Sequence, residues 1–220
     1  MSVPQFKDQS LLKTALTHRS ALNERAASKQ KESNERLEYL GDAVLELVTS
    51  EYLFKRFPKE PEGKLTAYRS ALVKTETLAQ VAKQLKLGEK LELSKGEEKS
   101  GGRHNPSLLA NTFEAIVGAL YLDQGLDVVR QFLYKHLFPK VDNIIKQQTY
   151  LDPKSYLQEL VQAKGLSAPS YQLVKEIGPD HNKVFTVQVM VGDKTVGTGK
   201  GKSKQQAQRE AAKIAIEKYI

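Results

Sequence analysis

Residues 34–48 read NERLEYLGDAVLELV, and the three- and four-residue spacing of their apolar side chains predicts an α-helix. Glu35, Glu38 and Asp42 are separated by three and four residues, so they share one edge of that helix. The opposite side is predicted to face a core and consists of Leu37, Leu40, Val44, Leu47 and Val48. The segment is therefore interpreted as a core helix with an acidic edge.

A second segment, SLLANTFEAIVGALYLD at residues 107–123, carries Asn111 and Glu114 three residues apart on one side of another helix. Clustered carboxylates repel one another, and Mg²⁺ is the usual compensating ion. Such an ion held between two helices could polarise a phosphate and generate hydroxide from bound water. The spacing is also compatible with solvated acids, or with acids paired to Arg36, Lys64 and Arg69, and both interpretations stay open at this point.

The helical period extends through most of the first 150 residues, where few runs alternate in polarity. Helices are predicted at residues 9–17, 34–57, 64–86, 106–123 and 126–147. We therefore predict an all-α domain over residues 1–148.

After Tyr150 the period changes. A helix is predicted at residues 153–164, and it is followed by three alternating strands at 171–177, 184–191 and 195–199. A closing helix at 203–219 carries a stripe of small apolar side chains formed by Ala207, Ala211, Ala212, Ile214 and Ala215. The second domain, residues 152–220, is thus predicted to be an α+β domain of order α-β-β-β-α, which makes the chain a multidomain protein.

The composition excludes several classes of protein. No window approaches the roughly 18 apolar residues of a membrane span, and the start MSVPQFKDQS lacks the pattern of a secretory signal. The absence of cysteine excludes disulfide scaffolds, thiolate zinc sites and cysteine nucleophiles. We predict a soluble, cytoplasmic protein with no membrane partner.

The net charge of +8 suggests a polyanionic partner, although a solvated basic surface would give the same number. The most basic stretch, GTGKGKSKQQAQREAA at residues 197–212, precedes and enters the closing helix. There Ser203 is a predicted N-cap, and the lysines at 200, 202 and 204 crowd a helix entrance that attracts phosphate. Lys200, Lys202 and Lys204 are therefore predicted to contact phosphates of a polyanionic partner.

The segment NERLEYLGDAVL at Asn34 to Leu45 closely resembles the signature of the ribonuclease III family. The match extends to LTHRS at residues 16–20, EGKLTAYRSALV at 62–73, GGR at 101–103 and the Asn111 segment. The tail resembles the double-stranded RNA-binding domain of that family. Together these matches cover nearly the whole chain in the family's order.

The resemblance implies a metal site and a reaction. Glu38, Asp42 and Glu114 are implied as Mg²⁺ ligands, with Asn111 completing the cluster and Mn²⁺ as a possible substitute. The implied reaction is hydrolysis of double-stranded RNA to 5′-phosphate and 3′-hydroxyl ends. Glu35 and Glu62 match two further acidic positions of the family's RNA-processing centre.

The resemblance also implies partners. Members of the family act as homodimers whose two sites leave short 3′ overhangs, and Tyr39 matches the aromatic residue that inserts into the other subunit. In the second domain, Gln158 and Glu159 would contact one minor groove of the RNA. The loop that ends at His181 would contact the next one.

Two positions depart from the family pattern. Asn111 stands where the family has Asp, so the cluster carries −3 rather than −4 and is expected to bind metal more weakly. Gln205 stands where the family often has Lys, which removes one charge from the phosphate-binding cluster. Asn111 favours the alternative of a non-cleaving double-stranded RNA-binding protein, whereas the three intact carboxylates favour an enzyme. A metal-dependent nuclease acting on DNA is a third, weaker possibility.

Five other polar residues have a structural and a functional interpretation. Thr17 and His18 are predicted mainly to tie the first helix to its neighbour. Arg69 is predicted to orient an acid. Arg103, with the adjacent His104, is interpreted either as a phosphate contact or as a solvated loop charge.

Overall fold

The computed structural model describes residues 3–24, 32–148, 150–179 and 183–219. The chain divides into two compact units, residues 1–150 and residues 151–220. Each unit has its own hydrophobic core. Within the described ranges, none of the helices has the length and hydropathy needed to span a bilayer.

The first unit is helical, as predicted. Its α-helices are α1 Gln9–Ala15, α2 Arg19–Glu24, α3 Glu35–Arg56, α4 Glu62–Val73, α5 Thr75–Gln84, α6 Leu87–Lys90, α7 Lys95–Lys99, α8 Pro106–Gln124, α9 Leu126–His136 and α10 Val141–Lys146. Short 3₁₀ turns at Gly102–His104 and Phe138–Lys140 precede α8 and α10.

Helix α8 lies at the centre of this unit and packs against α1, α3, α5 and α9. Its N-terminus is stabilised by Pro106 in the first turn and by the Asn105 side chain, which accepts a hydrogen bond from the amide of Ser107. Buried side chains occur around its whole circumference; they include Leu109, Phe113, Ile116, Val117 and Leu120. A helix that is apolar on all sides is stable only inside a core, and α8 is enclosed in this way.

Helices α3 and α8 cross with their backbones in direct contact. A Cβ atom added at Gly41 would lie 1.8 Å from the carbonyl oxygen of Glu114, and one added at Gly118 would lie 2.3 Å from the carbonyl oxygen of Leu37. Because both glycines lack a Cβ atom, the two helices approach more closely than side chains would allow.

One prediction for α3 is wrong. Leu47 was expected to face the core, but 59% of its side chain is exposed. The apolar side of α3 is wider than the surface that α8 and α4 cover. Leu37, Val44 and Val48 are buried as predicted.

The single helix predicted at 64–86 is two helices that break at Lys74, whose backbone is extended with ψ 152°. The buried hydroxyl of Thr77 donates a hydrogen bond of 2.8 Å to the carbonyl of Ala71, which the end of α4 leaves without a helical partner. The break is therefore stabilised by a local side-chain interaction that apolar periodicity does not register.

Two further helices are shorter than predicted. Helix α1 ends at Ala15 because Thr17 pairs with Glu92 in an isolated parallel bridge. The predicted helix at 126–147 is interrupted at Pro139, which cannot donate a backbone hydrogen bond, and it resumes as α10.

The second unit has the predicted order. It consists of α11 Pro153–Ala163, β1 Ser170–Ile177, β2 Val184–Val191, β3 Lys194–Gly201 and α12 Lys204–Tyr219. The strands form an antiparallel sheet of order β1-β2-β3, with Ser170 opposite Met190 and Phe185 opposite Gly201. Helix α12 packs on β2, β3 and α11.

The core of the second unit is small. It is built from Leu157, Val161, Val189, Val191, Ala211, Ala212 and Ala215. Four members of the predicted alanine-rich stripe on α12 are fully buried, whereas Ile214 is 41% exposed, so its assignment to that stripe is wrong.

Gly41→Ala should destabilise the first unit by about 3 kcal/mol, because the new methyl group can be accommodated only if α3 and α8 move apart. The measurement is the free energy of urea unfolding. Gly63→Ala is the matched control, since a Cβ atom there meets nothing within 4 Å and alanine favours a helix. Equal stability of the two variants would contradict the proposed importance of the backbone contact.

Candidate active site and nucleic-acid interface

The α3–α8 crossing brings together Glu38, Asp42, Asn111 and Glu114, which we name the acidic cluster. Glu38 and Asp42 lie on either side of Gly41, and Glu114 lies one turn before Gly118. Glu38 and Glu114 are half-buried, whereas Asp42 is exposed. The Asn111 side chain lies near enough to Glu38 to influence the pKa of that carboxyl across the crossing. The residues predicted as metal ligands are therefore neighbours in the fold.

Burial and mutual repulsion dominate the electrostatics of the acidic cluster. Burial, followed by the charges of Asp42 and Glu38, raises the pKa of Glu114 to about 7. Burial also raises the pKa of Glu38, the Asn111 side chain opposes that rise, and Glu35 and Asp42 add to it. Near neutral pH the cluster therefore holds negative charge that its surroundings do not compensate.

The other two predicted acids differ in position. Glu35, in the first turn of α3, accepts a hydrogen bond of 3.0 Å from the Ser33 hydroxyl and pairs with Arg19 at 3.5 Å. The negative charge of Glu35 contributes to the raised pKa of Glu38. Glu62 is exposed in the first turn of α4, where its carboxylate accepts a hydrogen bond of 2.9 Å from Thr66. The structure thus brings Glu35 near the acidic cluster and couples Glu62 to its own helix.

The carboxylates of the acidic cluster do not converge on a single point. In the described ranges, no three His, Cys, Asp or Glu side chains are already arranged to hold a metal ion. Like charges in one site keep apart until a cation draws them together, so this spacing is expected of carboxylates alone.

Tyr39 projects from α3 with 83% of its side chain exposed. Beside it lies a groove of about 710 Å³ whose walls include Leu11, Leu40 and Leu122. Leu122 is itself 55% exposed. An exposed aromatic side chain next to an apolar groove is typical of a surface that a protein partner covers.

In the second unit, Lys200, Lys202 and Lys204 are all exposed around the entrance of α12. The Ser203 hydroxyl accepts a hydrogen bond of 3.1 Å from the amide of Gln206, which makes Ser203 the N-cap that the sequence predicted. The Gln206 side chain accepts in turn from the amide of Lys202 at 2.9 Å. The lysines therefore surround a helix start of fixed geometry.

Glycines in β3 hold α12 against the sheet. A Cβ atom at Gly199 would lie 2.1 Å from the amide nitrogen of Ala211, and one at Gly201 would lie 2.6 Å from that of Ala207. The helix backbone thus rests directly on the strand. This contact fixes where the lysines lie relative to α11.

The remaining predicted contacts of the second unit lie on two elements. Gln158 is exposed on α11 and borders the same depression as Gln205 on α12. Glu159 is also exposed on α11. His181 lies outside the described residues.

Comparison with known proteins identifies the family. A model described as "Ribonuclease-III-like" matches residues 8–141, and one described as "Double-stranded RNA binding motif" matches residues 153–219. The chain belongs to the ribonuclease III family. Its two matched regions correspond to a nuclease domain and a double-stranded RNA-binding domain.

Individual relatives agree with this assignment. Ribonuclease 3 of Streptococcus pneumoniae is 47% identical over 216 residues, which cover 98% of this chain and 92% of that protein. Two solved structures of the nuclease domain of Ribonuclease III from Campylobacter jejuni are 44% identical and cover 60% of this chain. The matched regions are 87% and 84% of the two Campylobacter jejuni chains, and the TM-scores are 0.55 and 0.54.

Other polar residues of this ribonuclease III family member are committed to its own fold. Thr17 is buried and donates a hydrogen bond of 2.8 Å to the carbonyl of Lys13, and a ring nitrogen of His18 lies 2.8 Å from the Ser20 hydroxyl. Arg69 pairs with Glu46 at 2.8 Å and thereby joins α4 to α3. The Arg69 contact agrees with its predicted role of orienting an acid, whereas these side-chain contacts of Thr17 and His18 are local and do not themselves join α1 to its neighbour.

Arg103 is also used internally. Its guanidinium donates to the carbonyls of Gly88 and Leu91 at 2.9 and 2.8 Å, and to Glu98 at 2.6 Å. These bonds fix the loop before α8. The interpretation of Arg103 as a phosphate contact is therefore not supported, and His104 remains an exposed residue of that loop.

Sequence reasoning missed one group of polar residues in the second unit. Lys154, Tyr171 and Arg209 border the depression that Gln158 and Gln205 also line. They come from α11, β1 and α12, so no spacing along the chain indicates that they meet. The only sequence signal is the basic residue in the first turn of a helix, where an acid is usually preferred.

Glu114→Gln should stabilise the metal-free protein at pH 8 by about 1–2 kcal/mol, a figure reduced for partial solvent exposure. Because the folded pKa of about 7 exceeds the ordinary value of 4.5, ionisation of Glu114 costs stability as the pH rises through that interval. The difference between variant and wild type should therefore disappear below about pH 4.5. The measurement is the unfolding free energy against pH in EDTA.

The exposed Glu76→Gln on α5 is the matched control for the glutamate-to-glutamine change. Parallel pH profiles for wild type and Glu114→Gln would show that Glu114 carries no such linkage.

Proposed function

We propose that this protein is a divalent-metal-dependent endoribonuclease that cleaves double-stranded RNA, leaving 5′-phosphate and 3′-hydroxyl ends with short 3′ overhangs. The observation that carries the proposal is the acidic cluster at the α3–α8 crossing. The cluster lies within residues 8–141, the region that the family's nuclease model matches. A fold that forces carboxylates together at the cost of raised pKa values needs a reason, and binding of a cation is the usual one.

The donor set of the acidic cluster fits Mg²⁺. Glu38, Asp42 and Glu114 offer only carboxylate oxygens, which are the ligands that Mg²⁺ prefers, and Mn²⁺ accepts the same donors. When bound, such an ion polarises a phosphate and lowers the pKa of a bound water. Its charge would also compensate the repulsion that raises the pKa of Glu114.

The side chains of the acidic cluster have different roles in this proposal. Glu38, Asp42 and Glu114 hold the ion, and Asn111 offers a neutral carbonyl oxygen next to Glu38. Asn111 adds no negative charge to the site. Glu35 and Glu62 are proposed to complete the RNA-processing centre, as the resemblance to the family implies.

The second unit is proposed to hold the RNA. Lys200, Lys202 and Lys204 present their charges around the capped start of α12, where the helix dipole also favours phosphate. Gln158 on α11 and His181 are proposed to contact 2′-hydroxyls in the minor grooves. Since side chains cannot reach the base edges in the deep, narrow major groove of A-form RNA, we expect recognition of duplex shape with little sequence preference.

Asn111 supports one rival function. A member that has lost a charged ligand could bind double-stranded RNA without cutting it. The three remaining carboxylates favour cleavage, because their mutual repulsion would give no advantage to a protein that only binds.

Asn111→Asp should accelerate Mg²⁺-dependent cleavage of an RNA duplex by at least about 10-fold at limiting Mg²⁺, because it restores a negative ligand at nearly constant volume. RNA affinity should change little. The measurements are single-turnover cleavage at several Mg²⁺ concentrations, and binding of the same duplex in Ca²⁺. Asn143→Asp, at an exposed position of α10, is the matched control and should change neither quantity.

The outcomes separate the candidate functions. Wild-type protein that binds duplex RNA but never cuts it, while Asn111→Asp cuts it, would establish the rival function. Equal cleavage rates of the two proteins at all Mg²⁺ concentrations would show that position 111 does not act through the metal. Efficient cleavage of duplex DNA would contradict the proposed substrate.

A homodimer is proposed from the surface around Tyr39. The exposed ring and the apolar groove beside it are complementary in character, so two copies related by a twofold axis could each insert Tyr39 into the groove of the other. One of the Campylobacter jejuni structures is described as concerning a region involved in dimer formation of its nuclease domain.

Tyr39→Glu should shift the protein toward monomer at micromolar concentration, because a carboxylate buried in an apolar groove is strongly unfavourable. Tyr39→Phe keeps the ring and should leave the dimer intact. Sedimentation velocity measures both. A wild-type protein that sediments as a monomer would refute the proposed dimer.

A further inference from the structure

A polar depression in the second unit lies between α11, the start of β1 and α12, and we name it the α11–α12 depression. Its volume is about 440 Å³, and its walls include Asp152, Lys154, Gln158, Tyr171, Gln205 and Arg209. Two of these side chains are cationic and one is anionic. Gln158 and Gln205 also belong to the helix surfaces proposed above to face RNA, so the depression lies on that side of the unit.

Lys154 is held in a fixed position at the wall of this depression. Its ammonium donates a hydrogen bond of 2.8 Å to the Gln208 side chain and lies 4.9 Å from the centre of the Tyr171 ring. The backbone amide of Lys154 donates to Asp152 at 3.0 Å. An ammonium has three donors, and a lysine that is already ordered loses little entropy when it binds a further acceptor.

Tyr171 contributes an unused donor. Its hydroxyl is buried and has no hydrogen-bond partner among the described residues. Burial, with a smaller effect from Asp152, raises its pKa to about 12, so the hydroxyl keeps its proton at neutral pH. A buried donor without a partner is costly unless a ligand or water accepts from it.

Arg209 adds a second cation and is positioned by an acid. Its guanidinium lies 3.4 Å from Asp152, which also accepts from the amides at the start of α11. Asp152 therefore anchors both helices at this edge. About half of the Arg209 side chain remains exposed.

Gln205 and Gln208 on α12 are neutral at this edge, so the cationic side chains there are Lys154 from α11 and Arg209 from α12. The ammonium of Lys154 is hydrogen-bonded to Gln208 itself, so it occupies the place that a longer cationic side chain at 208 would reach.

We propose that the α11–α12 depression binds a backbone phosphate of double-stranded RNA, and that Lys154 supplies the charge for this contact. The inference rests on the proposed RNA binding by the second unit and extends it to the edge between α11 and α12, where Gln205 and Gln208 are neutral. Arg209 lies at the rim and strengthens the attraction of a phosphate. Phosphate oxygens would also accept hydrogen bonds from the N–H groups of the Lys154 ammonium that do not donate to Gln208.

The test uses the full chain in EDTA, with a fluorescently labelled RNA duplex titrated at several KCl concentrations. Lys154→Met should weaken binding about 5- to 10-fold near 0.1 M salt and should lower the slope of log affinity against log salt by about 0.9, the effect of one lost phosphate contact. Lys213→Met is the matched control, because Lys213 lies further along α12 and pairs with Glu210 at 2.7 Å. It should change neither quantity.

A rescue variant separates charge from packing. Gln208→Lys added to Lys154→Met places an ammonium beside the position that the Lys154 ammonium occupied, so it should restore both affinity and slope. Lys154→Arg keeps the charge and should also keep the slope, and this second variant tests the inference if Lys154→Met folds poorly.

The inference is overturned if Lys154→Met keeps the wild-type salt slope, or if affinity falls without rescue by Gln208→Lys, since Lys154 would then act only through packing. Competition by inorganic phosphate, compared with chloride at equal ionic strength, identifies the ligand. Displacement of the duplex by phosphate from wild type but not from Lys154→Met would support a phosphate site that the duplex occupies, whereas binding of phosphate at Lys154 with no effect on duplex affinity would mean a site for free phosphate and would contradict a backbone contact. Absence of RNA binding by wild type would instead refute the proposed function of the unit.

Discussion

The contact between the backbones of α3 and α8 is the constraint on which the first unit depends. Side chains normally keep the axes of packed helices 8–10 Å apart. At Gly41 and Gly118 there is nothing to keep them apart, so the carbonyl of one helix lies where a side chain of the other would be. Side chains on the adjacent turns are then forced toward one another. The positions of Glu38 and Glu114 thus follow from the absence of side chains between them.

The acidic cluster is unfavourable for folding, and the surrounding structure must offset it. The raised pKa of Glu114 shows that its charge is poorly solvated. Helix α8 can carry this charge because the residues on both sides of Glu114 along the helix are buried, among them Phe113 and Ile116. Burial of each such side chain stabilises the fold by roughly 1.5–3 kcal/mol. Helix α8 therefore carries both the buried side chains that stabilise the first unit and a carboxylate, Glu114, whose charge is unfavourable for folding.

The sequence predicted the long elements and the members of the acidic cluster, because periodicity over many residues and spacing within one helix are local properties. It failed where a single contact that apolar periodicity does not register decides the outcome. The break at Lys74 depends on the Thr77 hydroxyl, and Leu47 is exposed because no neighbouring element covers it. The α11–α12 depression was invisible for the same reason, since Lys154 meets its neighbours only after three elements have packed.

The glycines of β3 show that a binding surface can depend on residues that never touch its ligand. Gly199 and Gly201 let the α12 backbone rest on the strand, and any side chain there would lift the helix that displays the lysines. In a genetic screen for loss of RNA binding, substitutions should therefore accumulate in an inward-facing strand as well as on the basic surface. A map of such mutations, interpreted without the structure, would place the ligand on the wrong side of the sheet.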